Sequence, residues 1–248
     1  MSIVLPTKPL PKETSDPRNL IIYGNPKVGK TSLLSTLDNA LIFDLEAGTK
    51  FLEALKINIS NYQELIEVCK EIKKAGCPYK FIAIDTITAL EEMAKPLALN
   101  MFKQTPMGMN DKVTTDVTTL PHGAGYGFLR LAVEKLIDIV SKVCENTIIV
   151  GHVKDKALGD ADSSDIGSTV MMDVTGKLGR ILSARSDAIG FVHRDADDNL
   201  CINFMNNGEA TAGARPEHLA NKDIVVATRN EDGTFTSHWD RIYPSLIK

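Results

Sequence analysis

The chain of 248 residues predicts an α/β fold: a mostly parallel sheet with helices on both faces and antiparallel hairpins at the C-terminal end. Three observations lead there. Up to about residue 150, short apolar runs alternate with longer stretches of helical periodicity, as in strands joined by helical crossovers. Several of those apolar runs end in Gly, Asp or His, which is polar punctuation at one edge of a sheet. Beyond residue 187 the rhythm changes to paired short runs separated by turn residues, as in hairpins.

The elements follow in order. Residues 1–18 hold Pro6, Pro9, Pro11 and Pro17. Proline fixes φ and removes a donor, so this stretch reads as an extended leader to a single domain over 19–248. LIIYG, ending at Gly24, reads as a buried strand, and a glycine-rich turn leads into a helix from Thr31. ALIFDLE (40–46) is a second strand. Over 61–75, Leu65, Ile66, Cys69 and Ile72 share a helical face, which Gly76 and Pro78 end. FIAID (81–85) is a third strand. EEMAKPLALNMF reads as a helix with a kink or break at Pro96. Residues 103–127, threonine-rich and carrying Pro121, Gly123, Gly125 and Gly127, read as a long loop, which in a compact domain is functional or disordered. FLRLAVEKLIDIVSKV (128–143) is a strongly amphipathic helix, NTIIVGH (146–152) a fourth strand, and 153–179 a second long polar loop. DAIGFVHRD pairs with LCINFMNN through residues 196–199, and DIVVATRN with TFTSHWD through Asp232-Gly233. No internal repeat is visible.

Composition bounds the function. At 43% hydrophobic residues the chain supports one sizeable core, with little room for a second full domain. A net charge of −4 excludes a whole-chain basic field, so any nucleic-acid contact has to be local. Cys69, Cys77, Cys144 and Cys201 are far apart and form no CxxC, which points away from metal ligation and disulfides and towards reduced thiols in a cytoplasm. No apolar run approaches the ~20 residues that span a bilayer, and the N-terminal stretch does not read as a signal peptide.

The chemistry concentrates in Gly24-Asn25-Pro26-Lys27-Val28-Gly29-Lys30-Thr31, a match to GxxxxGK[ST], continued by Ser32. Its glycines let the backbone curl so that N–H groups point at phosphate oxygens, and the helix that follows presents its positive end to the same anions. In such a loop Lys30 reaches the β and γ phosphates of ATP, and the Thr31 hydroxyl ligates Mg²⁺. Asp85, closing a buried strand, is placed to hold the Mg²⁺ water shell; alone, it would read as an ordinary strand-end acid. Hydrolysis also needs a group that positions or deprotonates water. Thr86 follows Asp85, where many ATPases keep a glutamate, so the candidate base is Glu46 at the end of the second strand. His152 ends the fourth strand at the same edge, either sensing the γ phosphate or serving as a satisfied strand-end histidine.

With these motifs the sequence resembles the RecA-like ATPases over roughly residues 19–210. FDLEAG is similar to the family's strand that ends in the catalytic Glu, FIAIDTITAL to its Mg²⁺ strand, and NTIIVGH to the strand ending in a γ-phosphate sensor, with His152 in place of the usual Gln. The size, the order of motifs and His152 resemble phage-encoded versions used in single-strand annealing recombination. The resemblance implies an ATPase with a mobile DNA-binding loop after His152, acting as a homo-oligomer with single-stranded DNA and with single-strand-binding or recombination proteins as partners. It also implies a cation donated by a neighbouring subunit, for which Arg215 is the candidate and Arg194 the runner-up; either also reads as an ordinary surface arginine.

The two long loops carry Lys103, Lys112, Lys154, Lys156 and Lys177, of which Lys154, Lys156 and Lys177 are the candidates for phosphate contact. The loops also carry many aspartates, so solvated mixed-charge loops are the competing reading. Two other functions compete: a nucleotide-dependent switch or assembly ATPase acting on protein partners, and a small-molecule kinase, against which the lack of an Arg-rich lid argues.

Overall fold

The computed structural model describes residues 5, 7–9, 15–111, 114–154, 170–208 and 210–247. In chain order the elements are β1 (Asn19–Gly24), α1 (Lys30–Ser35), β2 (Ala40–Asp44), β3 (Lys56–Asn58), α2 (Tyr62–Lys74), β4 (Phe81–Asp85), α3 (Ile87–Lys103), α4 (Pro106–Asn110), α5 (Ala124–Val140), β5 (Asn146–His152), α6 (Leu178–Arg185), β6 (Ala188–Arg194), β7 (Leu200–Asn203), β8 (Gly213–Ala214), β9 (Asp223–Arg229) and β10 (Phe235–Ser237). One sheet runs β10-β9-β7-β6-β1-β5-β4-β2-β3, with β8 pairing beside β6. β6, β1, β5, β4, β2 and β3 are parallel neighbours, and β7, β9 and β10 extend the sheet antiparallel, as the sequence predicts. β5 separates β1 from β4, so both turn their C-terminal ends to one edge with a strand between them.

The central strands are buried on both faces, hence their near-continuous Ile, Val and Leu. Ile21, Tyr23, Phe43, Ile82, Ile84 and Ile149 face one core, built with α2, α3, α5 and α6. Leu20, Ile22, Ile42, Ala83, Ile148 and Val150 face the other, covered by the short α1 and by Trp239, Ile242 and Tyr243 of the C-terminal segment. Trp239 Nε1 donates to the Leu33 carbonyl at 3.1 Å, tying that segment to α1.

Three local features depart from the sequence-based expectation. α3 runs unbroken through Pro96. Pro96 lies on the exposed side, where solvent takes up the carbonyl its ring leaves unpaired, while buried Leu90, Ala94, Leu97 and Phe102 hold the helix. The stretch 103–127 is not all loop: it contains α4 and two 3₁₀ turns, and α5 begins at Ala124. Gly125 acts there as a packing residue rather than a breaker, since a Cβ on it would lie 1.6 Å from the Val117 carbonyl oxygen. β2 stops at Asp44, so Glu46 lies in a turn beyond the strand. Most of the second long loop, residues 155–169, lies outside the described residues, as does Lys112 of the first.

Candidate active site

The loop between β1 and α1 curls tightly: Lys27 and Gly29 have φ of 63° and 117°. At Gly29 a side chain would be strained, and its Cβ would meet Arg194 Nη2 at 3.3 Å. Val28 packs on the core beneath, while Asn25 and Pro26 are exposed. Lys30 is 5% exposed and donates from Nζ to the Gly24 and Asn25 carbonyls, each at 2.8 Å. Burial lowers its pKa to about 8, against the pull of the Asp85 and Glu46 carboxylates. A phosphate oxygen placed here would meet a poorly solvated ammonium held only by neutral carbonyls.

Three acids come from neighbouring strand ends. Asp85, closing β4, is buried and accepts from Thr31 Oγ1 at 2.7 Å. Burial raises its pKa; the Thr31 hydroxyl opposes the rise, while Glu46 and Asp44 add to it. Asp44, level with Asp85 in the β2–β4 register, shapes the following turn. Its carboxylate accepts from the N–H groups of Glu46 (3.3 Å), Gly48 (3.1 Å) and Thr49 (3.0 Å), and from the Thr49 hydroxyl. Burial pushes Asp44 up, but these bonds outweigh it and hold the carboxyl below the usual range. The turn delivers Glu46, whose carboxylate accepts from the Thr86 hydroxyl and lies 3.6 Å from His152 Nε2. Thr86 is also the N-cap of α3, accepting from the Ala89 N–H, and the Asp85–Thr86 peptide bond is cis.

These groups line one cavity of about 320 Å³: Lys27, Gly29, Lys30, Thr31 and Ser32 on one wall, Asp44, Glu46, Asp85, Thr86 and His152 on the other. Its size, and the two lysines on its glycine-rich wall facing three carboxylates, suit a polyphosphate accompanied by a divalent cation. The paired Thr31 hydroxyl and Asp85 carboxylate are hard oxygen donors of the kind Mg²⁺ takes. A buried acid whose ionised form is disfavoured gains most from such a cation. Thr86 is the group that sequence reasoning misses. In the sequence it marks only the absence of a glutamate, whereas in the fold its hydroxyl holds Glu46.

The fold brings Lys30, Thr31, Asp85, Glu46 and His152 together. Arg215 it leaves elsewhere: its guanidinium pairs with Asp187 at 3.2 Å and donates to the Ala184 carbonyl. Asp187 also accepts from the Asn19 N–H at the start of β1, so Arg215 sits at the opposite sheet edge, about 17 Å of strand from Gly24. Arg215 therefore does not reach the cavity of its own chain. Arg194, by contrast, lies beside the phosphate loop, paired with Asp198 at 3.2 Å and stacked 4.9 Å over Phe235. Lys154 and Lys177 are exposed and do not line the cavity; Lys156 lies outside the described residues. The chain leaves β5 at His152 and returns through Met171–Asp173, where Lys154 N–H donates to the Met171 carbonyl and Asp173 N–H to the His152 carbonyl.

A glycine-rich lysine loop after β1, carboxylates at the ends of β2 and β4, and a polar residue at the end of the intervening β5 define a P-loop nucleoside triphosphatase with a RecA-like core. The chain belongs to the family described as AAA domain, which matches residues 16–237. Among solved structures, a crystal structure of the RadB recombinase is similar at 13% identity, covering 91% of each chain with a TM-score of 0.44. No curated protein matches the chain. No helix among the described residues is long and apolar enough to cross a membrane.

Proposed function

We propose that the protein hydrolyses ATP in this cavity and couples hydrolysis to binding of single-stranded DNA, assisting recombination or annealing as a homo-oligomer. His152 carries the reading. Its ring lies 3.6 Å from Glu46, and its own carbonyl closes the base of the loop that follows, accepting from Asp173 at 2.8 Å. One residue therefore touches the candidate base and anchors the segment bearing Lys154 and Lys177. A change in the charge or position of Glu46 during turnover reaches that loop through a single side chain.

In this mechanism Lys30 leaves the Gly24 and Asn25 carbonyls for the β and γ phosphates. Thr31 and Asp85 would hold Mg²⁺, which would neutralise phosphate charge. Thr86 orients Glu46, and Glu46 aligns the attacking water and takes its proton. Arg215 of a neighbouring copy supplies the last cation. ATP turnover measured with and without an unstructured oligonucleotide tests the proposal: turnover rises with DNA, and Lys30→Ala abolishes it. Full turnover by Lys30→Ala would remove the assignment of the phosphate loop.

A second reading, a nucleotide-dependent switch acting on a protein partner, has one observation in its favour. Phe51, in the segment that begins at Glu46, is 97% exposed. Absence of ATP-dependent DNA binding at low salt would favour it.

A further inference from the structure

Away from the nucleotide cavity, three neighbouring antiparallel strands converge on one spot. His193 on β6 faces Cys201 on β7 directly across the ladder. Asp223, at the start of β9, lies opposite Asn203, two residues further along β7. His193 Nε2 stands 2.9 Å from Asp223 Oδ2, and the nitrogen, carboxylate oxygen and Cys201 Sγ all lie within 4.8 Å of one another. The Cys201 side chain is buried, His193 half-buried, and Asp223 exposed, so the cluster opens to solvent on the carboxylate side.

Both ring nitrogens have an acceptor in reach: Nε2 lies 2.9 Å from Asp223 Oδ2, and Nδ1 lies 3.3 Å from the Arg194 carbonyl. In the metal-free protein the shorter contact sets the tautomer, with Nε2–H donating to the carboxylate. A metal ion on Nε2 takes that proton's place, and the proton moves to Nδ1, where the Arg194 carbonyl accepts it. A backbone carbonyl on the far nitrogen is how metal-bound histidines are commonly oriented. The buried thiol beside them then has a use. Asp195 Oδ2 lies 3.9 Å from the sulfur and is itself held by Asn199, so a second carboxylate adds negative potential.

We propose that His193, Cys201 and Asp223 form a zinc-class metal site with one position open to water. An imidazole, a thiolate and a carboxylate suit Zn²⁺ and its stand-in Co²⁺ better than Mg²⁺, which takes oxygen ligands. Binding releases the Cys201 proton to solvent, draws the sulfur inward and parts the 2.9 Å His193–Asp223 pair, since tetrahedral ligands sit about 3.3–3.8 Å apart. The ion staples β6, β7 and β9 on the sheet face opposite the phosphate loop, since His193 alternates along β6 with the Arg194 that packs on Gly29. The site does not depend on what the nucleotide cavity does. Cysteine spacing carries no sign of it, because two of its ligands are not cysteines and they come from different strands.

The test is Co²⁺ titration of the full-length reduced protein in excess Mg²⁺. One equivalent should produce thiolate-to-cobalt charge-transfer absorption, and Zn²⁺ should displace it. Cys201→Ser should remove the band. His193→Ala should weaken Co²⁺ binding about tenfold or more, and Cys77→Ser, which changes the exposed cysteine, should leave it intact. As a second measurement, stoichiometric Zn²⁺ should raise Tm in the wild type, reversibly with EDTA, but not in His193→Ala. If no band appears at one equivalent, or if it follows Cys77 rather than Cys201, the cluster is a hydrogen-bonded His193–Asp223 pair beside an inert thiol and the proposal is overturned.

Discussion

Glu46 and Lys30 are the two residues whose chemistry the cavity most directly constrains. Glu46→Gln keeps the hydrogen bond from Thr86 but removes the basic oxygen, so turnover should fall by roughly 10² or more with ATP affinity within a few-fold. Thr86→Val leaves the base but frees it, so the loss should appear in kcat with KM little changed. Normal turnover by Glu46→Gln with Asp85→Asn inactive would place the base elsewhere. Lys30 supplies a pH dependence. Its pKa is lowered to about 8, so the free protein loses this positive charge as pH rises through that value. A polyphosphate binds the charged form and raises the pKa again. Affinity for MgATP should therefore weaken between about pH 7 and 9, approaching tenfold per unit at the upper end. Binding near pH 8 should take up a proton, measurable by calorimetry in buffers of different ionisation enthalpy.

Among the elements, the turn after β2 and the C-terminal segment make opposite predictions. Asp44 accepts four hydrogen bonds that shape residues 44–49. Asp44→Ala strands those donors, of which only the Thr49 pair is buried, and should cost about 1–2 kcal/mol, with turnover lost as Glu46 drifts. Because the Asp44 carboxyl is held below its ordinary value, its stabilisation is present above the unfolded pKa of about 3.9 and is lost as pH falls through the folded one. Denaturant unfolding should thus show the largest gap between wild type and Asp44→Ala at neutral pH, closing in acid. Tyr243 is fully buried against Phe81, and its hydroxyl has no partner among the described residues. Tyr243→Phe removes that unsatisfied group without opening a cavity, so it should be neutral or stabilising by up to about 1 kcal/mol. A larger destabilisation would mean that the hydroxyl has a partner.

For the protein as a whole, a net charge of −4 means that any attraction to DNA has to be local, and the salt dependence of the proposed binding reports how many phosphates are neutralised. Replacing Lys154, Lys156 and Lys177 with alanine should weaken ATP-dependent oligonucleotide binding to a similar degree for all sequences. It should also flatten the salt slope by about one unit for each lysine that meets a phosphate, while DNA-free turnover survives. Fluorescence anisotropy across a salt series reads both. Arg215 belongs here too, since in the proposed oligomer it would meet the phosphates of a second copy.

The alternation of elements, the parallel strands with their C-terminal hairpins, and the phosphate loop are all legible in the amino-acid sequence. Those signals are local: a GxxxxGK[ST] run, apolar strands ending in Asp or His, an amphipathic face on α5. Two elements escape such reading. β3 has three residues, too few for periodicity, and the continuity of α3 past Pro96 depends on what the other side of the helix buries. Folding alone fixes that Glu46 hangs from an Asp44-centred turn against Thr86 and His152, that Arg215 and Arg194 lie at opposite sheet edges, and that His193, Cys201 and Asp223 meet. Each of these is a relation between segments distant in sequence, and sheet register, which no local pattern encodes, sets which side chains share a face.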